Sequence, residues 1–385
     1  MSLIFLGMIF LVFNWCLGIK KTISSYLILL LFILGYIPES IIFFSMNLEY
    51  KYFILMNIFW FILFLSTGFL KKIIRQDLLT VGTDKQRQSI FITLLTVFSL
   101  VVLYIFIRYG NFKFNFTLNL ENIYDLRIEA RNYNMSKFID FIRNNAMYII
   151  YPTASLIFLS KKKYGLFFLM IVFQMMLYSI DNQKAAIFLI ILSVVGYYLY
   201  NEKFFYKISN YFFYLAIFVL FFGNAKVSIF IMKNFFERII FLPAILNYNY
   251  YSFFNNNESI IPFVSLFKKM GIVQNYPYDD GISFIMGDLL FNNRQISANT
   301  GSFGNAFSYG IIGLILIPIL FGLLFVLLDI STNRISNRIL ISLIFIQVFV
   351  FLNVSIFIII TSYGLILAIV VLSLINNNKY YKELE

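Results

Sequence analysis

Hydrophobic residues fill this chain in long blocks, and charged residues stand at the edges of those blocks. Apolar runs fall at about 2–19, 22–45, 52–70, 89–109, 144–160, 164–180, 185–200, 210–232, 302–328, 339–353 and 356–375. Crossing the hydrocarbon of a bilayer takes about 20 apolar residues as a helix, whose backbone bonds to itself where no water is present. The pattern therefore predicts an all-α polytopic membrane protein of about eleven transmembrane helices (10–12), forming a single domain over residues 1–385. Two longer polar segments separate the runs, at about 110–143 and 233–300. Within the second, "SIIPFVSLF" (259–267) and "GISFIMGDLLF" (281–291) are apolar but too short to span, which predicts short interfacial or re-entrant helices.

Charge orients the pattern. Alternate connections carry Lys20 and Lys21, the basic residues of the 71–88 segment, Lys161 to Lys163, Lys203 and Lys207, Arg334 and Arg338, and finally Lys379 and Lys382. Short basic loops stay in the cytoplasm, so the two long segments are expected outside, with the N-terminus outside and the C-terminus inside. The first run lacks a basic leader and a small-residue cleavage pattern, and is expected to be a retained span. The net charge of +12 follows from this loop bias and does not point to nucleic acid.

Composition agrees: 61% of residues are hydrophobic and 12% charged, against about 25% charged in soluble domains. There is no His and a single Cys, which removes the commonest metal ligand and proton shuttle as well as any intrachain disulfide. Chemistry falls to carboxylates, Arg, Lys, Tyr and amides. We expect no cofactor and no metal site. Few charges lie deep in the runs, Lys226 being the clearest.

Four stretches carry candidate chemistry. In "ENIYDLRIEARNYN", Arg127 and Arg131 stand four residues apart with Glu129 between them. On a helix both guanidiniums share a face and can grip phosphates bidentately, or the helix can be a solvated amphipathic one. In "SIDNQKAAIF", Asp181 or Asn182 can cap the following helix, while Lys184 opposes the positive helix end unless an anion sits there. In "KNFFERIIFLPAILNYNYYSFF", Glu237 and Arg238 are either a rim salt bridge or a base and a phosphate ligand; Tyr248 and Tyr251 suit sugar faces and equally an interfacial belt. In "YPYDDGISFIMGDLLFNNRQISANTGSFGNAFSYGIIG", Arg294 and Asn299 precede Gly301, Gly304, Gly310 and Gly313. Those glycines suit an anion cradle at a helix start or close helix packing, and local physics leaves the two even.

Taken together, "RIIFLPAILNYNYYSFF", "YPYDDGISFIMGDL" and "SANTGSFGNAFSYGIIG" resemble the bacterial Wzy-type oligosaccharide repeat-unit polymerases, as do the Arg-bearing "YDLRIEAR" and the Lys-bearing "DNQKAAIF". The resemblance covers roughly residues 120 to 315. It implies a GT-C-like, metal-independent glycosyltransferase in a bacterial plasma membrane. Such an enzyme polymerises undecaprenyl-diphosphate-linked oligosaccharides into O-antigen, capsule or exopolysaccharide on the outer face, beside membrane lipids, a chain-length regulator and a flippase. Carried onto this chain, Arg127, Arg131, Lys184, Arg238 and Arg294 would bind diphosphate. One of Glu129, Asp181 and Glu237 would be the base, and Asn299, Tyr248 and Tyr251 would contact sugar or phosphate. The arginine-to-glycine spacing of some members is absent here, since Arg294 reaches Gly304 one residue early. Rival expectations are a lipid-linked oligosaccharide flippase or other transporter, which would keep charges in its spans and show repeats, and an O-antigen ligase, which would need a His.

Overall fold

A computed structural model describes residues 7–8, 22–74, 82–110, 112–114, 133, 135–181, 183–200, 237, 240–261, 264, 277–278, 280–332 and 335–375. Among them every regular element is a helix. In chain order these are α1 (Ile23–Ser45), α2 (Tyr50–Ile73), α3 (Asp84–Gly110), α4 (Lys137–Asn145, continued to Tyr151–Ser160), α5 (Tyr164–Asp181), α6 (Lys184–Leu199) and α7 (Leu242–Asn256). There follow α8 (Ile282–Phe291), α9 (Ser302–Phe307), α10 (Gly310–Thr332), α11 (Asn337–Asn353), α12 (Ile356–Thr361) and α13 (Leu365–Ile375). The apolar runs that fall within the described residues are helical, and the short run at 281–291 is the helix α8. Among the described residues, five stretches are long and apolar enough to cross a membrane: α1, α2, α3, α10 and Ile356–Ile375.

The exposed faces of these helices identify their solvent. On α2, Tyr52, Phe53, Met56, Phe59, Trp60, Leu63 and Thr67 are buried, while Ile54, Ile58, Phe61, Leu65, Phe69 and Ile73 are exposed on the other side. A surface helix in water would turn charges outward, so a helix apolar on both faces packs against protein on one and lipid on the other. Ile311, Ile312, Ile315 and Ile319 give α10 a similar bare face. This is a membrane-embedded helical protein.

Two helices widen by a π-turn just before a proline: Phe32–Tyr36 before Pro38 in α1, and Ala146–Ile150 before Pro152 in α4. A proline ring clashes with the carbonyl four residues back and contributes no N–H, and the wider turn lets the helix continue past it. Each insertion rotates the side chains that follow it, among them Glu39.

The chain divides into two compact units. The first comprises Met1–Arg75, Glu202–Val326 and Val348–Ile356. Its centre is α1, buried on every side from Ile23 to Leu31. The antiparallel α1–α2 pair is tied at one end by Lys71 Nζ donating to Thr22 Oγ1 at 2.7 Å, and in the middle by Tyr36 Oη donating to Asn57 Oδ1 at 2.8 Å. Phe32 stacks on Tyr36 at 4.6 Å, and Trp60 meets both edge-on.

The second unit comprises Gln76–Asn201, Leu327–Gln347 and Phe357–Glu385. Here α3, α4, α5 and α6 pack around one another, and α13 lies on α3. Gln174 Nε2 reaches the carbonyl of Met147 inside the π-turn of α4 at 3.1 Å. Gly364, at φ +69°, packs so closely on Asn145 that a Cβ there would collide with its amide. Gly196 similarly admits the backbone of Ser342.

Candidate functional site

The site lies in the first unit, at the α1–α2 turn Met46–Glu49, the end opposite Lys71. Three segments from the second half of the chain meet there. After α8, the backbone reverses at Asn292, whose φ of 51° suits an asparagine in the left-handed region, and runs back along the helix it has just left. Gly287 permits this return, because a Cβ would strike the carbonyl of Ile296; Ala298 N then donates to Ser283 O at 2.8 Å. Tyr250 of α7 donates to Ala298 O at 3.0 Å, and Ile260 N to Ser308 O at 2.6 Å. Leu246, Tyr250, Ile260, Ile282, Met286 and Ala298 form the apolar seal beneath.

Glu39 lies at the heart of this end, 2% exposed. Its Oε1 accepts from Asn247 Nδ2 on α7, and its Oε2 from Trp60 Nε1 at 3.3 Å. The other end of the Asn247 amide accepts from Thr300 Oγ1 and from Gly304 N–H at 3.1 Å. One carboxyl and one amide thus join α1, α2, α7 and α9. A cavity of about 40 Å³, lined by Glu39, Trp60, Asn247, Ser302 and Phe303 among others, adjoins the carboxyl; that is room for roughly two waters and far too little for a sugar. The network is therefore a clasp.

The glycines before α10 now have an explanation. A Cβ at Gly301 would stand 2.6 Å from the carbonyl oxygen of Leu352, and one at Gly304 would collide with Thr300 and Asn247. Gly310, at φ +58°, breaks the chain between α9 and α10, and Gly313 admits the carbonyl of Ala306. Close packing accounts for Gly301, Gly304 and Gly313 and a left-handed turn for Gly310, and the N–H of Gly304 is already taken by Asn247.

Above the clasp stands an aromatic rim. Tyr251 Oη donates to Glu49 Oε2 at 2.6 Å, Tyr248 lies beside the same carboxylate, and Tyr52 meets both rings at 5.2 and 5.3 Å. Glu49 is exposed and Tyr248 half-buried, so a carboxylate and a ring edge face outward. Burial first, then Glu49, pushes the Tyr251 hydroxyl above the usual tyrosine range; burial and Glu49 raise Tyr248 likewise. Both remain donors at neutral pH. Lys51 Nζ donates to Asn255 Oδ1 at 2.7 Å on the same rim.

The expected site residues distribute as follows. Tyr248 and Tyr251 come together on the rim, and Asn299 is exposed on the neighbouring segment. Arg294 is exposed and ion-paired with Asp288 at 2.9 Å; that hydrogen bond, then the charges of Asp288 and Asp280, raise its pKa. Glu237 is exposed. Asp181 ends α5 and Lys184 begins α6 in the second unit, with the N-cap position at Gln183 rather than at Asp181 or Asn182; the side chains of Asp181 and Lys184 lie outside the described part, as does all of Asn182. Arg127, Glu129, Arg131, Arg238 and Lys226 lie outside the described residues. Among the described residues no three His, Cys, Asp or Glu side chains gather as a metal would require.

Two carboxylates escaped the reading of the sequence. Glu39 had a signal, since an ionisable residue within an apolar run marks a functional or structural site by default, and "IPES" interrupts such a run. Glu49 had none, being one charge in a short turn. No family model, curated protein or solved structure matches this chain.

Proposed function

We propose that the protein is a membrane glycosyltransferase of the GT-C kind, with about eleven spans, that polymerises undecaprenyl-diphosphate-linked oligosaccharide repeat units on the outer face of a bacterial plasma membrane. The observation that carries this reading is the joining of the three resembling segments through the single side chain of Asn247 and the backbone around Ala298, beneath an exposed carboxylate–tyrosine rim. In this reading Tyr248 offers a ring to the acceptor sugar. Glu49, held by Tyr251, joins Glu129, Asp181 and Glu237 as a base for the acceptor hydroxyl. The acceptor oxygen bonds to the anomeric carbon of the donor glycan, the carboxylate takes its proton, and the anomeric bond to undecaprenyl diphosphate breaks. Arg127, Arg131, Lys184 and Arg238 take the leaving diphosphate's charge, the role cations fill best in a water-poor site.

The test is the polymer ladder of cells that depend on the protein. Glu49→Gln and Arg127→Ala each reduce long chains to single repeat units, by about 100-fold or more if the residue acts in proton transfer or charge stabilisation, with the protein still in the membrane. Normal ladders in both overturn the reading.

A transporter is the second reading, and Glu39 favours it: transporters keep ionisable groups within their spans, and Lys226 is not the only one here. Glu39→Gln decides between them. A transporter without its carboxylate strands lipid-linked units on the cytoplasmic leaflet, whereas the polymerase variant leaves them outside, unpolymerised or normally polymerised.

A further inference from the structure

The buried carboxyl of the clasp has hydrogen bonds but no opposite charge. Glu39 is bonded to two neutral donors, Asn247 Nδ2 and Trp60 Nε1. Among the described residues no Lys or Arg pairs with it. A carboxylate taken out of water is costly unless a positive charge answers it, and either a proton or a cation must supply that charge.

The cavity beside Glu39 decides between them. Its space of about 40 Å³ is bounded by Glu39, Gly301, Ser302, Phe351 and Leu352, with mostly aliphatic and aromatic side chains around the rest, and Glu39 is the single ionisable group in its lining. Phe351 and Leu352 belong to the last turn of α11, which stops at Asn353 before the chain restarts as α12 at Ile356. The last carbonyls of a helix lack intrahelical partners and carry its partial negative charge. Those of Phe351 and Leu352 lie against Gly301, where a Cβ would stand 2.9 and 2.6 Å from them, and no backbone N–H among the described residues donates to either. Ser302 Oγ donates to Val354 O at 3.0 Å inside the helix break and keeps its lone pairs as acceptors. The start of α9 opposes this field only weakly, because that helix has six residues and its Gly304 N–H is taken by Asn247.

A carboxylate, a hydroxyl and the carbonyl end of an interrupted helix are the oxygen set with which broken membrane helices hold alkali ions. A proton on Glu39 would need no cavity and would leave the α11 carbonyls unmet. A divalent ion would call for a second carboxylate, and the lining has none. We infer that the cavity binds one monovalent metal cation, of sodium or potassium size, between Glu39, Ser302 and the carbonyl end of α11. The ion and one water fill the space, and the ion fastens α1 and α9 to the last turn of α11. The inference does not rest on the polymerase reading, since it concerns binding beneath the rim and its test measures no polymer.

The chain has two tryptophans, Trp15 and Trp60, and the second is bonded to Glu39. Trp60 emission in full-length, detergent-solubilised Trp15→Phe protein is therefore a local reporter. Sodium chloride and potassium chloride are titrated in turn, each against choline chloride at constant ionic strength. One or both metals should change the emission saturably, and the melting temperature should rise with the same midpoint, because a ligand bound only by the folded protein stabilises it. Radioactive sodium, or rubidium in place of potassium, should saturate the wild-type protein at a single ion per chain. Glu39→Gln removes the charge and is expected to weaken binding at least about 100-fold, more than the loss of an outer-shell partner costs. Should that variant fail to fold by size-exclusion profile, Ser302→Ala serves instead, with an expected loss of about tenfold. The metal that saturates the site at the lower concentration identifies the ion. Absence of saturable binding of either metal to the wild-type protein, a Trp60 response to choline equal to that for the metals, or binding that the folded variants leave intact overturns the inference.

Discussion

The two units treat buried polar groups in opposite ways. In the first, the carboxyl of Glu39, the indole of Trp60, the amide of Asn247, the hydroxyl of Thr300 and the N–H of Gly304 are all bonded to one another. In the second, Arg87 keeps two guanidinium nitrogens and Asn145 its carbonyl oxygen, both buried without a partner. The first unit is not free of such groups, since the Tyr52 hydroxyl is one. The difference is that its buried carboxyl is engaged at both oxygens. Away from water an unmet polar group costs more than a met one gains. A closed network therefore holds helices together, and an open one leaves that cost unmet.

Substitutions can break or sharpen this contrast. The largest effect is expected from Asn247→Leu, which keeps volume but strands the Glu39 carboxyl, the Thr300 hydroxyl and the Gly304 N–H together; on the order of 4 kcal/mol should be lost. Denaturation of the purified protein in a graded detergent mixture measures it, and a loss below about 1 kcal/mol would mean the network is not closed.

A smaller effect is expected at the rim. Tyr251→Phe removes the hydrogen bond to Glu49 and should cost about 1 kcal/mol. Because the folded protein raises the Tyr251 pKa, the bond's contribution is fully present below the ordinary tyrosine value of 10.0 and disappears only as the pH climbs through the higher folded value. Melting temperatures of the two proteins should differ by a constant amount through neutral pH and converge only in strong alkali. The least effect is expected at Tyr151→Phe, within about 0.5 kcal/mol, since the buried hydroxyl removed has only Ser99 beside it and makes no well-formed hydrogen bond. A larger loss there would show that the open polar interior of the second unit is filled by water or ligand in solution.

Much of the scaffold was legible beforehand, for reasons visible in particular residues. The runs that became α2, α3, α5 and α10 are apolar over nearly their whole length, so neither face had to be guessed. The short helix α8 was foreseen from length alone, because "GISFIMGDLLF" cannot span. The π-turns were not, although Pro38 and Pro152 lie within their runs, since whether a helix kinks, stops or widens at a proline depends on what packs against it. The glycine cluster was read as a cradle or a packing seam with equal weight. What separated the two was the backbone of Leu352 lying against Gly301, a contact no local pattern announces.

Hydropathy alone was enough to establish that this chain is a bundle of helices in a membrane. A continuous apolar run of about 20 residues in hydrocarbon satisfies its backbone groups within itself as a helix, so the length and composition of the runs point to helices. Which side chains would meet was left to the folded molecule. Glu39 finds its amide 208 positions along the chain, and Arg87 sits inward on a stripe of phenylalanines. Pairing of that kind depends on how helices pack in three dimensions, where lipid and protein interiors are equally apolar and hydrophobicity no longer distinguishes one face from another.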